Sequence, residues 1–329
     1  MRLTRRHALA LGAPILAIRP ALAADWPNRP VRIIVPFAAG GPADGLARML
    51  GEVFAPKLGQ PGQTSGFPVV VENRAGAGGI IGTAAAAQAN DGHTLLFGSI
   101  SMTIVPHLQQ NPVGYDVVRD FVPLGLVAST PFLAVVPAGS PIRDVAGLIA
   151  AAKARRGALT SANSGYGTLS HLTAELFNER TGAEIESVVY RGEGVLMPDL
   201  LGGNVGMGFL TLSSLLPHIR AGKIRALAVA GPERLAELPD VPTFAEAGIP
   251  GMEVDGWQAL LAPRTIPPEG VERMAALLAE AMADPAVRER IAGFGALPAT
   301  KDRAAFTAMF PEEFRRWGQV VKARGLRAE

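Results

Sequence analysis

The strongest constraint on the fold is an alternation of two patterns along the chain. Short, almost uninterrupted apolar runs are separated by stretches whose apolar residues recur at helical spacing. VRIIVP at 31–36 is the first run, and its lack of polar positions is that of a strand covered on both faces. Behind it, Leu46, Met49, Leu50, Val53 and Phe54 fall on one face of a helix within 45–58. The same reading predicts strands at 69–71, 95–97, 121–128, 132–136, 187–189, 205–209 and 226–230. Helices are predicted around 80–89, 145–155, 169–181 and 212–221, and most of 269–324 is helical. Thr243 and Glu246 have capping-box spacing, and Asp284-Pro285 pairs an N-cap with a first-turn proline. Strands alternating with helices predict an α/β protein with mainly parallel sheets. At roughly 150 residues per domain, 329 residues predict two units. No internal repeat is visible in the sequence.

Several function classes drop out early. The chain has no cysteine, which excludes a disulfide scaffold, a thiol nucleophile, thiolate zinc sites and iron–sulfur clusters. Its formal net charge of +2 comes wholly from the start of the chain, where Arg2, Arg5, Arg6 and Arg19 stand in the first 23 residues without an acid. A basic nucleic-acid binder is therefore not expected. Those residues have the parts of a secretory signal: a cationic start, an apolar run over 8–18, and Ala21-Leu22-Ala23 as a cleavage site. The reading is a signal peptide over 1–23, cleaved near Ala23/Ala24, on an exported periplasmic protein; the export route, general secretory or twin-arginine, stays open. A second uncharged stretch covers 121–142, but Pro123, Pro131, Pro137 and Pro141 break it into extended segments.

In α/β sheets, ligands bind beyond the carboxyl ends of strands, where loops lead into helix N-termini whose unpaired N–H groups suit anions. Two loops have that placement. One is Phe37-Ala38-Ala39-Gly40-Gly41-Pro42-Ala43-Asp44 and the other runs over 161–168. Each pattern on its own is also that of an ordinary turn. Other motifs read more plainly as structure. Gly76, Gly78 and Gly82 have GxGxxxG rather than dinucleotide spacing, which suits a turn packing a helix closely. Ser164 and His171 lack the GxSxG elbow, and His93, His107 and His218 lack ligand spacing, so neither a metal nor a cofactor is expected. Trp257 reads as core between the two units, with contact to the ligand as the alternative.

A set of segments in order along the chain adds a resemblance. WPNRPVRIIVPFAAGGPADGLAR (26–48) is followed by VENRAGAGGIIGTAAAA (71–87), DGHTLL (91–96), SGYGTLSHL (164–172), VYRGEG (189–194), AGKIRALAV (221–229) and LPDVPTFAEAGIPG (238–251). In these the chain resembles the Bug-type periplasmic receptors of tripartite tricarboxylate transporters. The resemblance implies a two-lobed periplasmic-binding-protein-like fold (type II), each lobe a mainly parallel sheet flanked by helices, with the ligand cleft between. Lobe one would be 25–126 plus 254–329, and lobe two 127–253.

The implied function is capture of a small organic carboxylate and its delivery to a membrane permease, by a monomer. The implied site is Phe37, Ala38, Ala39, Gly40, Gly41 and Asp44 of the first loop, with Ser99 and Ser101 beside it. Lobe two would add Ser164, Gly165, Tyr166, Gly167, Thr168 and His171. Arg191 either pairs with the ligand or fixes its own loop. Where many members carry an acid after the strand at 205–209, this chain has Leu210-Thr211. Two other readings stay open: a periplasmic sensory module presenting the carboxylate to a membrane kinase, and a hydrolase acting through Ser164.

Overall fold

The computed structural model describes residues 26–59, 66–154, 157, 159–190 and 192–327. The expected signal peptide and Arg191 lie outside the described residues.

The apolar runs become strands of two sheets. β1 (Val31–Val35), α1 (Pro42–Phe54), β2 (Val69–Asn73), α2 (Ile80–Ala87), β3 (Thr94–Ser99), α3 (Ser101–Leu108) and β4 (Phe121–Ser129) come first. The chain then crosses into β5 (Phe132–Pro137), α4 (Val145–Ala154), β6 (Thr160–Asn163), α5 (Leu169–Thr181), β7 (Glu186–Val189), α6 (Glu193–Gly202), β8 (Met207–Thr211), α7 (Leu212–Arg220) and β9 (Ile224–Val229). It returns through β10 (Gln258–Pro263), α8 (Pro268–Ala283), α9 (Pro285–Gly293), β11 (Leu297–Pro298) and α10 (Arg303–Ala323). The uncharged stretch at 121–142 thus forms β4 and β5. Among the described residues no helix is long and apolar enough to cross a membrane.

The sheets share one plan. The first has the order β11-β4-β10-β3-β1-β2 and the second β7-β6-β8-β5-β9. In each, the first strand of its lobe lies between the second and third, parallel to both: β1 between β2 and β3, β6 between β7 and β8. In each, one strand arriving from the other lobe is inserted antiparallel, β10 beside β3 and β5 beside β8. The remaining long strands keep a common direction, so the sheets are mainly parallel with one long reversed strand apiece. Two lobes with one topology, and no visible sequence repeat, follow because topology depends on the apolar pattern rather than on residue identity.

Three apolar clusters hold the layers. α1, α8 and α9 cover one face of the first sheet through Leu46, Leu50, Phe54, Met274 and Leu278. α6 and α7 cover one face of the second through Leu196, Leu200, Leu212 and Leu215. The third cluster runs through both lobes, joining α2 and α3 to α4 and α5 by way of α10. Its centre is Trp257, fully buried, with Phe306 and Phe310 of α10 edge-on at 5.3 and 6.0 Å. The expected core role of Trp257 is what the structure shows. The return crossing is further tied by Arg316, which donates to the carbonyls of Glu253 at 2.6 Å and Gly251 at 3.0 Å.

Two local expectations change. Thr243 and Glu246 do exchange capping-box bonds, at 2.8 and 3.1 Å, but they close an isolated turn with no helix behind it. Pro250 ends any continuation by removing a backbone donor. The second glycine loop starts at Ser164, because Ser161, Ala162 and Asn163 belong to β6.

Candidate functional site

β1 and β6 hold matching places in their sheets, and the two candidate loops leave their carboxyl ends. Loop one is residues 36–41, between β1 and α1. Ala38, Ala39 and Gly40 are exposed, and Gly40 needs its glycine because φ is +83°. Gly41 is the N-cap in an extended conformation, with open space where a side chain would stand, apart from the Ala38 carbonyl at 3.6 Å. Among the described residues, the Ala38 and Ala39 amides have no acceptor, whereas Gly41 N closes a turn on the Ala38 carbonyl and Gly40 N donates to Asp44 Oδ2 at 2.9 Å.

Asp44 therefore faces inward. It is 4% exposed, receives Arg48 Nε at 3.1 Å, and is held below the ordinary carboxylate value by that guanidinium, against the opposing effect of burial. Arg48 also donates to Asn73 Oδ1 at 3.1 Å, and Asn73 Nδ2 donates to the Phe37 carbonyl at 3.1 Å. A ring of bonds from α1 through β2 back to Phe37 thus fixes the loop, and Asp44 acts as its anchor. The first turn of α2, behind the glycine turn, packs beneath: a Cβ on Gly82 would meet Arg74 O and Pro36 Cα at 2.7 Å. That contact is the close packing expected of the GxGxxxG turn. Ser99 and Ser101 are half-buried at the end of β3, next to β1 in the sheet and on the same edge as loop one.

Loop two, residues 164–168, is built differently. Thr168 is the N-cap of α5, and its Oγ1 donates to the Gly165 carbonyl at 2.7 Å. Ser164 N donates to Ser170 Oγ at 3.3 Å, and Gly167 N to His171 Nδ1 at 3.1 Å. His171 lies under the loop at 2% exposure, with Nε2 facing Glu175 Oε1 at 3.7 Å and its ring against Tyr166 at 4.7 Å. Burial lowers its pKa despite Glu175, so the imidazole is a neutral acceptor for the loop. Ser164 Oγ faces Thr168 Oγ1 at 3.5 Å, while both His171 nitrogens are directed elsewhere, so no Ser–His pair forms. Among the described residues, the Gly165 and Tyr166 amides have no acceptor.

Topology sets both loops on the carboxyl edges of their sheets, yet no hydrogen bond or ring contact joins one to the other among the described residues. Loop two instead touches α3, where a Cβ on Gly167 would meet Leu108 Cδ1 at 2.4 Å, and the end of the chain, where Arg327 N donates to Tyr166 Oη at 3.1 Å. The lobes do meet at Gly295: a Cβ there would lie 3.0 Å from Ser213 of α7.

One acidic residue escaped the sequence reading. Leu210 is fully buried in β8, and Thr211 caps α7. The carboxylate at this point comes from Glu193, at the start of α6. Its Oε1 accepts from Thr211 N at 3.1 Å and its Oε2 from Thr211 Oγ1 at 2.6 Å. The only sequence signal was an acid in the first turn of a helix, which is common.

Comparisons with known proteins agree with the two-lobed α/β fold. Residues 46–326 match the family described as tripartite tricarboxylate transporter family receptor. Protein BugT of Bordetella pertussis is 38% identical over 310 residues, covering 94% of this chain and 93% of BugT. The structure of the periplasmic binding protein BugD is 34% identical, covers 92% of this chain and 100% of that one, and has a TM-score of 0.71. MatC from Rhodopseudomonas palustris, solved with bound malate, is 31% identical over 90% of this chain and 100% of its own, with a TM-score of 0.70.

Proposed function

The chain belongs to the tripartite tricarboxylate transporter family of receptors, and from that premise we propose that it is an exported, periplasmic receptor that captures a small organic carboxylate between its lobes and hands it to a membrane permease. The observation that carries this reading is the pair of loops on equivalent first strands, each presenting bare amides at a helix N-terminus. Carboxylate oxygens accept such N–H groups, and the positive ends of α1 and α5 favour the charge. Loop one would supply Ala38 and Ala39, loop two Gly165 and Tyr166, and Ser99 and Ser101 hydroxyls would line the floor. Asp44 and His171 position these amides from behind. No step in this reading makes or breaks a covalent bond. The lobes would divide as 25–126 plus 254–329 and 127–253, with the receptor a monomer and its signal removed near Ala24. A receptor titrated with malate, other di- and tricarboxylates and aromatic acids should bind at least one by calorimetry. Small-angle scattering should then show a smaller radius of gyration, as the lobes close on the ligand. Failure of every acid to bind would overturn the reading.

A further inference from the structure

We propose that Glu193 sets the charge the cleft accepts: its carboxylate already occupies the N-terminal end of α7, so this receptor selects acids with one or two carboxylates against those with three. The inference rests on the receptor reading above. β6, β7 and β8 run parallel, so α5, α6 and α7 all begin on the same edge of the second sheet. Two of those beginnings are joined by Glu193, which starts α6 and reaches across to Thr211 at the cap of α7.

Both oxygens of the carboxylate are fixed there, one by the Thr211 amide at 3.1 Å and one by its hydroxyl at 2.6 Å. Thr211 Oγ1 is further linked to Ser214 Oγ at 3.2 Å and Ser213 Oγ at 3.3 Å, so the hydroxyls around the carboxylate are tied to one another. Among the described residues no lysine, arginine or histidine forms an ion pair with Glu193. Its charge is balanced, among the described residues, by the dipoles that hold it. Glu193 is half-buried, and Ser213 is where Gly295 of the other lobe makes contact, so the group stands at the inter-lobe edge. A ligand carboxylate brought to this corner would lose the α7 donors to Glu193 and meet a like charge in a partly desolvated place, which is unfavourable on both counts.

Two measurements test this. Glu193→Gln keeps an acceptor for Thr211 and removes the charge; the ratio of citrate affinity to malate affinity should rise at least tenfold over the parent. Glu193→Ala empties the corner; sodium formate should then raise the melting temperature of the variant and not that of the parent at matched ionic strength. An unchanged citrate-to-malate ratio in the glutamine variant, or equal formate responses, would overturn the role of Glu193. Binding of neither citrate nor malate to either protein would overturn the receptor reading for these acids, and the formate comparison would still decide whether Glu193 fills an anion place.

Discussion

Loops one and two do the same topological job by opposite means. Loop one stands in the open and is held by charge: the Asp44 carboxylate beneath it ties Gly40 to Arg48 and, through Asn73, to the next strand. Loop two is packed against α3 and held by neutral groups, the Thr168 and Ser170 hydroxyls and an uncharged His171. The contrast shows that backbone amides can be aimed at one ligand class either by an ion pair under an exposed turn or by a buried hydrogen-bond scaffold. It also says that each loop should fail under its own conditions.

The largest effect is expected at Gly41. Its backbone is extended and the space beside it is open, so Gly41→Val should fold normally while its side chain holds a carboxylate away from the amides. Losing about 3 kcal/mol of charge-assisted hydrogen bonding corresponds to roughly hundredfold weaker binding by calorimetry. Binding within threefold of the parent, with an unchanged melting curve, would move the carboxylate off loop one. Gly40 is a poorer probe, since its positive φ would strain any side chain.

Next comes the anchor. Asp44→Ala leaves the Gly40 amide and the Arg48 Nε without their acceptor and should cost about 1–3 kcal/mol in chemical denaturation. Binding should weaken as well, because the loop loses its fixed shape. If affinity survives the loss of stability, loop one is pre-shaped by its backbone alone. The corresponding cut in loop two, Thr168→Ala, removes a cap and should cost about 1 kcal/mol. Equal losses from the two variants would erase the distinction drawn between charged and neutral anchoring.

The smallest effect separates the loops by pH. Burial holds the His171 imidazole below its ordinary value of 6.5, so its stabilising bond from Gly167 is present above that value and lost as pH falls through the lowered one. Asp44, held below its ordinary 3.8 by Arg48, keeps its contribution above 3.8 and loses it only as pH falls further. The protection of the loop-two amide of Gly167, taken relative to the intrinsic exchange rate at each pH, should therefore fall at a higher pH than that of the Gly40 amide in loop one. The reverse order would contradict the neutral state assigned to His171.

Much of this was legible in the residues. β1 is seen almost to the residue because a fully apolar run is a local signal, and α5 coincides with the helix expected at 169–181 although it is buried on every side from Leu169 to Asn178. β4 and β5 follow equally well from the prolines that exclude a helix at 121–142. α3 was missed: Ser99, Ser101 and Pro106 argue against a helix, and it forms because its apolar side packs on α10. β10 was missed too, since its place is decided by β3 and β4 on either side.

By itself the sequence determined which segments must be covered on both faces and where the turns fall, because these depend on neighbours within a helical turn or a strand. Only the tertiary structure decided what stands behind the bare amides of the two loops. Asp44 turns inward because Arg48 and Asn73 meet it there, 25 residues separating Arg48 from its partner. Glu193 lies 18 residues from Thr211, and the two meet only because β7 and β8 flank β6 and start their helices on one edge. A side chain's partner across such a distance is chosen by the order of strands in the sheet, and no local pattern in the chain records that order.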